Sequence, residues 1–192
     1  GSYSGTVWTG AGCSGTSAAV TVSVNLPPAP KVVALEATTF CNGDSVHLDA
    51  GTGYSSYLWS NGRRTQIITV KNPGTYAVTV TDANGCTGTS AAVAVTVYSK
   101  PIPVITAGSA LSFCPGDSVI LDAGANFVNY SWSNGETTRR ITVKPSGTFS
   151  VTVVNTNGCE GSSSPVIVTR YQTPQPTITA NGSLTFCAGG SV

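Results

Sequence analysis

Phe40-Cys41-Asn42-Gly43-Asp44-Ser45-Val46 returns 73 residues later as Phe113-Cys114-Pro115-Gly116-Asp117-Ser118-Val119, and Trp59-Ser60-Asn61-Gly62 returns at the same spacing as Trp132-Ser133-Asn134-Gly135. Laid against each other without a gap, residues 29–101 and 102–174 agree at 38 of 73 positions. A fixed period of this kind marks a tandem array and outranks other signals in the chain. The cysteines obey it too: Cys13, Cys86 and Cys159 form one series, and Cys41, Cys114 and Cys187 form the other. The expected division is residues 29–101 and 102–174 as whole repeats, 1–28 as the close of a preceding repeat and 175–192 as the start of a following one. Gly1-Ser2-Tyr3 aligns with Gly74-Thr75-Tyr76, so the opening residues belong to the pattern. The two end pieces together lack positions equivalent to 47–73, and the chain has no methionine, so a window from a longer array is expected.

Composition agrees with an all-β chain. Valine and threonine supply 50 of the 192 residues, while charged residues make up 9%. No apolar run approaches the roughly 18 residues of a membrane helix, so no membrane insertion is expected. A net charge of +1 provides no basic field for nucleic acid. Within a repeat, short alternating segments are separated by turn signals, the pattern of a β-sandwich. Val46 and Leu48 alternate with Ser45, His47 and Asp49; Tyr76, Val78 and Val80 alternate with Thr75, Thr79 and Thr81. Period-two patterning puts each apolar set on one buried face. Asn61-Gly62, Pro73-Gly74 and Asn84-Gly85 supply the turns. Pro28, Pro101 and Pro174 align, as do Pro30, Pro103 and Pro176, so each joint is a Pro-x-Pro segment. Proline fixes φ and favours extended backbone, which predicts stiff joints and a semi-rigid rod.

The order of segments resembles an immunoglobulin-like domain. Gly43 to Leu48 is similar to the turn into strand B, and Tyr57-Leu58-Trp59 to strand C with its core tryptophan. Gly74-Thr75-Tyr76 is similar to the start of strand F, where a tyrosine corner sits; Phe149 replaces Tyr76 in the second repeat. The resemblance implies that Trp59, Trp132, Tyr76 and Phe149 are core residues. More narrowly, the Phe-Cys-x-Gly-Asp-Ser-Val, Trp-Ser-Asn-Gly and Asn-Gly-Cys motifs resemble immunoglobulin-like and polycystic-kidney-disease-like repeats of secreted Bacteroidetes surface proteins. Such repeats occur in large adhesins, gliding-motility adhesins included, and in spacers of secreted enzymes. The resemblance implies export by a type 9 route.

Six cysteines in a low-charge β chain point to an oxidising compartment. Spacing suggests one bridge per repeat, Cys41–Cys86 and Cys114–Cys159. Each closes a loop of about 45 residues, for which the chain-entropy model gives roughly 4 kcal/mol. The immunoglobulin-like order raises an objection, because it places Cys41 before strand B at one end and Cys86 after strand F at the other. A strand of about six residues spans about 20 Å, against a Cα limit of roughly 7 Å for a disulfide. The alternative is a bridge across a joint, Cys41–Cys159. Zinc is a third reading, opposed by the absence of CxxC and the presence of one histidine.

No residue set suggests catalysis. His47 has Ile120 as its counterpart and reads as a surface strand residue. Asp49, Asp122 and Asp82 (Asn155 in the second repeat) read as turn caps in preference to calcium ligands. Arg63, Arg64, Arg139 and Arg140 read as a solvated turn after strand C. Trp8 aligns with Thr81 and Val154, outside the core pattern, as a joint contact or partner anchor. Asp44-Ser45-Val46 and Asp117-Ser118-Val119 match a Bacteroidetes O-glycosylation pattern, which makes Ser45 and Ser118 candidate sites under the resemblance.

The function expected is a non-enzymatic, cofactor-free stalk segment of an extracellular adhesin or filament, for display and attachment. Its partners would be neighbouring repeats of the same long chain, with lateral self-association as a further contact. Two other readings stay open. One is a glycan- or protein-binding module, and the other is an inert spacer of a secreted hydrolase.

Overall fold

The computed structural model describes residues 1–185 and 187–190; Phe186, Ser191 and Val192 lie outside it. The chain forms two compact units, Gly1–Tyr98 and Ser99–Val192. Among the described residues there are strands and turns and no helix.

The first unit opens with β1 (Ser2–Tyr3), β2 (Thr6–Trp8), β3 (Ser14–Thr16) and β4 (Val20–Thr21). β1 pairs with β4 and β2 with β3, both antiparallel, and every residue of these strands is exposed. The complete repeat follows as β5 (Val33–Ala34), β6 (Thr39–Cys41), β7 (Val46–Asp49), β8 (Ser56–Trp59), β9 (Ile67–Val70), β10 (Gly74–Tyr76), β11 (Val78–Thr81), β12 (Thr87–Thr89) and β13 (Val93–Tyr98). β7 lies between β5 and β9 in one sheet. The other face carries β8-β11-β12 and, continuing the same two chain segments, β10-β13 with β6 parallel to β13. A break at Ala77 divides β10 from β11.

The second unit repeats this order as β14 (Thr106–Ala107), β15 (Ser112–Phe113), β16 (Val119–Asp122), β17 (Asn129–Trp132), β18 (Arg140–Val143), β19 (Gly147–Phe149), β20 (Val151–Val154), β21 (Glu160–Ser162) and β22 (Val166–Arg170). Its ladders are β14-β16-β18, β17-β20-β21 and β19-β22-β15. Registers are reproduced residue for residue: Trp59 faces Val78, and Trp132 faces Val151. Each complete repeat is an immunoglobulin-like β-sandwich.

Alternation places the core. Val46 and Leu48 are fully buried beside half-buried His47 and Asp49, and Val119 and Leu121 are fully buried beside exposed Ile120 and half-buried Asp122. Ala50, Trp59, Ile68, Val70, Val78, Val80 and Val95 complete the first core; Phe113, Ala123, Trp132, Ile141, Val143, Phe149, Val151, Val153 and Val168 complete the second. Tyr76 is half-buried against the first core, and its hydroxyl donates to the Asn72 carbonyl at 3.0 Å, a tyrosine corner. Phe149 fills the equivalent place without a hydroxyl. Each tryptophan keeps its indole N–H satisfied: Trp59 donates to the Thr65 carbonyl and Trp132 to the Thr138 carbonyl, both at 2.8 Å.

The within-repeat bridges are not formed. Cys41 and Cys159 are disulfide-bonded, whereas Cys86 and Cys114 are free thiols, which overturns Cys41–Cys86 and Cys114–Cys159. Topology gives the reason. Cys41 ends β6 opposite Tyr98, at the far end of β13, while Cys86 precedes β12 at the other end of the sandwich. The six residues of β13 alone separate these ends by about 20 Å.

Candidate functional site

The chemistry-bearing residues lie at the two ends of each sandwich. The leading end is the hairpin joining β11 to β12, or β20 to β21. Asp82 Oδ1 accepts the N–H groups of Asn84 and Cys86, both at 2.9 Å, and the Asp82 N–H donates to the Cys86 carbonyl at 2.9 Å. Asn155 does the same for Asn157 and Cys159 at 3.0 Å. In residues 1–28, Thr9 Oγ1 accepts the Cys13 N–H at 3.2 Å. An oxygen-bearing side chain four residues before each cysteine thus sets the turn that presents the thiol.

The proline joint is seated at this same end. A Cβ placed on Gly88 would collide with the Pro28 carbonyl, and one on Gly161 with the Pro101 carbonyl. Glycine is required because backbone approaches backbone here. Asn155 Nδ2 also donates to the Ser99 carbonyl at 3.1 Å. The equivalent Gly15 has open space around it.

The trailing end carries the second cysteine series. The Cys41 carbonyl accepts the Asp44 N–H at 3.0 Å, with Gly43 at φ +101°; the Cys114 carbonyl accepts the Asp117 N–H at 3.2 Å, with Gly116 at φ +104°. The Cys187 carbonyl accepts the Gly190 N–H at 2.9 Å. Ser45 is half-buried in the first of these turns, and Ser118 is exposed in the second.

Sequence reasoning missed a serine that appears at 17, 90 and 163. Ser90 Oγ accepts the Val78 N–H at 3.1 Å beside the Ala77 break and donates to the Ala91 carbonyl at 2.9 Å. Ser163 Oγ takes the Val151 N–H at 3.1 Å, and Ser17 Oγ the Gly5 N–H at 3.0 Å. The signal was its identity in all three copies. The two arginine pairs also differ. Arg63 and Arg64 are exposed after β8, but Arg139 and Arg140 grip Asp122 across the β16–β18 register at 2.7–2.9 Å. These hydrogen bonds, Arg139 first, hold the Asp122 carboxyl well below the usual carboxylate range. Asp49 instead caps Gly51 at 2.8 Å and takes the Gln66 amide at 2.9 Å.

His47 Nδ1 lies 3.0 Å from Glu36 Oε1, and its backbone N–H donates to Glu36 Oε2 at 2.7 Å. That backbone bond, followed by the imidazole, lowers the Glu36 carboxyl. Ser109 and Ile120 replace the pair in the second repeat. Trp8 is 71% exposed on β2. Among the described residues no three His, Cys, Asp or Glu side chains gather as a metal cluster.

No protein-family model matches the chain, and no curated protein matches it. Solved structures similar to it include murine CEACAM1b, at 13% identity and TM-score 0.34, covering 74% of this chain and 99% of that one. The human OSCAR ligand-binding domain is similar at 14% and 0.33, covering 75% and 100%. A structure of a 1.5-MDa bacterial ice-binding adhesin is similar at 14% and 0.42, covering 90% and 74%. Likeness at this level carries nothing about function.

Proposed function

We propose that the chain is a stalk segment of an extracellular repeat protein, a surface adhesin or filament, whose sandwiches are stapled in series by disulfides. The observation that carries this reading is the repeated seat of the proline joint: Pro28 over Gly88, and Pro101 over Gly161, with no room for a single methyl group between them. A joint seated on backbone in this way transmits force and torque better than a free linker. The oxidised cysteines fit the same purpose. Cys41 belongs to a trailing end and Cys159 to a leading end, and each is disulfide-bonded. On this reading export follows the type 9 route implied by the sequence resemblance, and Ser45 and Ser118 carry O-glycans. Antibody against the chain should label intact cells of the source organism. Labelling only after permeabilisation would refute the extracellular assignment, and an intact mass equal to the bare chain would refute glycosylation.

A second reading, a glycan- or protein-binding module, is favoured by one observation, the exposed Trp8 on the same strand face as the Thr6–Thr16 hydroxyl pair. Aromatic faces of this kind anchor partners. Retained glycan-array binding in W8A would exclude Trp8 from that role.

A further inference from the structure

We propose that the outer face of the second sandwich carries a binding cleft for a carboxylate-bearing sugar, a uronate residue of an acidic polysaccharide, with Arg140 taking the carboxylate. The site is independent of the stalk reading.

The cleft holds about 310 Å³ between Thr106, Ala107, Gly108, Ile120, Asp122 and Arg140. Thr106, Asp122 and Arg140 stand opposite one another in the register, a row across β14, β16 and β18. Leu121 is fully buried, so strand alternation turns Ile120 and Asp122 outward.

The first repeat shows what opens this space. The two backbone frames coincide: the Leu35 N–H donates to the His47 carbonyl and the Gly108 N–H to the Ile120 carbonyl, both at 2.9 Å. On that frame Val33, Leu35, Gln66 and Ile67 become Thr106, Gly108, Arg139 and Arg140. A leucine gives way to open space, and the apolar residues on either side give way to a hydroxyl and a guanidinium. The backbone does not demand the glycine. Gly108 has no positive φ, and a Cβ on it would meet Ile120 at ordinary distances of 3.6 and 3.7 Å.

Arg140 is held in place for a ligand. Its Nε donates to Asp122 Oδ2 at 2.7 Å, and Arg139 fixes the same carboxylate with two bonds of 2.9 Å. The terminal nitrogens of Arg140 have no hydrogen-bond partner among the described residues. A guanidinium edge fixed in this way suits a carboxylate bidentately, at a reduced ordering cost. Two guanidinium groups against one carboxylate also leave the patch positive. Thr106 Oγ1 donates to the Asp122 carbonyl at 3.4 Å and keeps its lone pairs for a sugar hydroxyl. Ile120, 49% exposed, offers an apolar floor to the C–H face of a pyranose ring. The row crosses the strands and presents side chains, whereas extended peptides are read through main-chain bonds along a strand edge. A sugar therefore fits better than a peptide.

The probe is an oligogalacturonate, titrated into the full chain at low salt by calorimetry and heteronuclear NMR. Shifts should centre on Ile120 and Arg140, and the methyl-esterified oligomer, which lacks the charge, should bind at least about tenfold more weakly. Arg140→Ile and Gly108→Leu place the first repeat's residues on the same frame, one removing the guanidinium and the other filling the space. Each should weaken binding at least about tenfold while circular dichroism stays unchanged. Equal binding of the esterified oligomer, or unchanged affinity in either variant, would overturn the proposal. An oligoglutamate binding as tightly would overturn the assignment to a sugar. Absence of binding to the wild-type chain would sink the site and leave the stalk standing.

Discussion

Ser90→Ala removes one oxygen and tests how the strand broken at Ala77, β10 then β11, is held. In the native repeat Ser90 is buried, its N–H donates to the Val78 carbonyl at 2.9 Å, and its Oγ accepts the Val78 N–H at 3.1 Å. Val78 is fully buried, so water cannot reach the amide once the hydroxyl is gone. Leaving a buried donor unsatisfied costs about 1–3 kcal/mol. For a domain of this size each kcal/mol moves the thermal midpoint by about 4–8 °C, so the first sandwich should melt about 5–20 °C lower. Ser163→Ala should do the same to the second sandwich through Val151. Ser17→Ala should change stability by less than about 0.5 kcal/mol, because Ser17 and Gly5 are exposed and water replaces the hydroxyl. Differential scanning calorimetry reads the midpoints, and native-state hydrogen exchange reads the Val78 amide directly. Equal stabilities for Ser90→Ala and Ser17→Ala, with unchanged protection at Val78, would refute the reasoning.

Gly88→Ala forces a methyl against the Pro28 carbonyl and should destabilise the joint by about 1–3 kcal/mol, while Gly15→Ala should be neutral. Faster alkylation of Cys86 in Gly88→Ala would report the displaced joint, because the Cys86 sulfur lies 4.0 Å from the Asn25 carbonyl. Asp122→Asn should destabilise the second sandwich at pH 7. Because the folded carboxyl is held below its usual range, the stabilisation is complete above the ordinary carboxylate pKa and is lost as pH falls through the folded value. The gap between wild type and variant should therefore close towards strong acid in urea titrations, and a gap that persists there would contradict the clamp.

Much of the fold was legible because strand periodicity is a local property. Val46-His47-Leu48-Asp49 and Val78-Thr79-Val80-Thr81 alternate in sequence and alternate in burial. The period of 73 carried that reading into the second repeat. The disulfides were harder, since spacing counts residues along the chain and not distance across it. Cys41 and Cys86 are one regular spacing apart in sequence but lie at opposite ends of the first sandwich. Ser90 was marked by its identity at 17, 90 and 163, but a serine before Ala91-Ala92 reads as loop, and its role exists only beside the break at Ala77. Gly88 was missed because the crowding comes from Pro28, sixty residues earlier. Arg139 and Arg140 read as turn residues until the register of β18 against β16 set Arg140 opposite Asp122.

The most direct test of the stapled stalk is single-molecule extension of the chain from its two termini, with and without reductant. A Cys41–Cys159 bond, the bridge across a joint, would take about 120 residues out of the path of force while the chain is oxidised, so that β22 peels away but the strands between the two cysteines stay folded. At about 3.3–3.6 Å per residue, reductant should release about 400 Å of additional contour length, as two successive unfolding events. Two sandwiches unfolding with the same total length in oxidised and reduced chains would contradict the account, as would two separate gains of about 150 Å, the length that a bridge within each repeat would withhold.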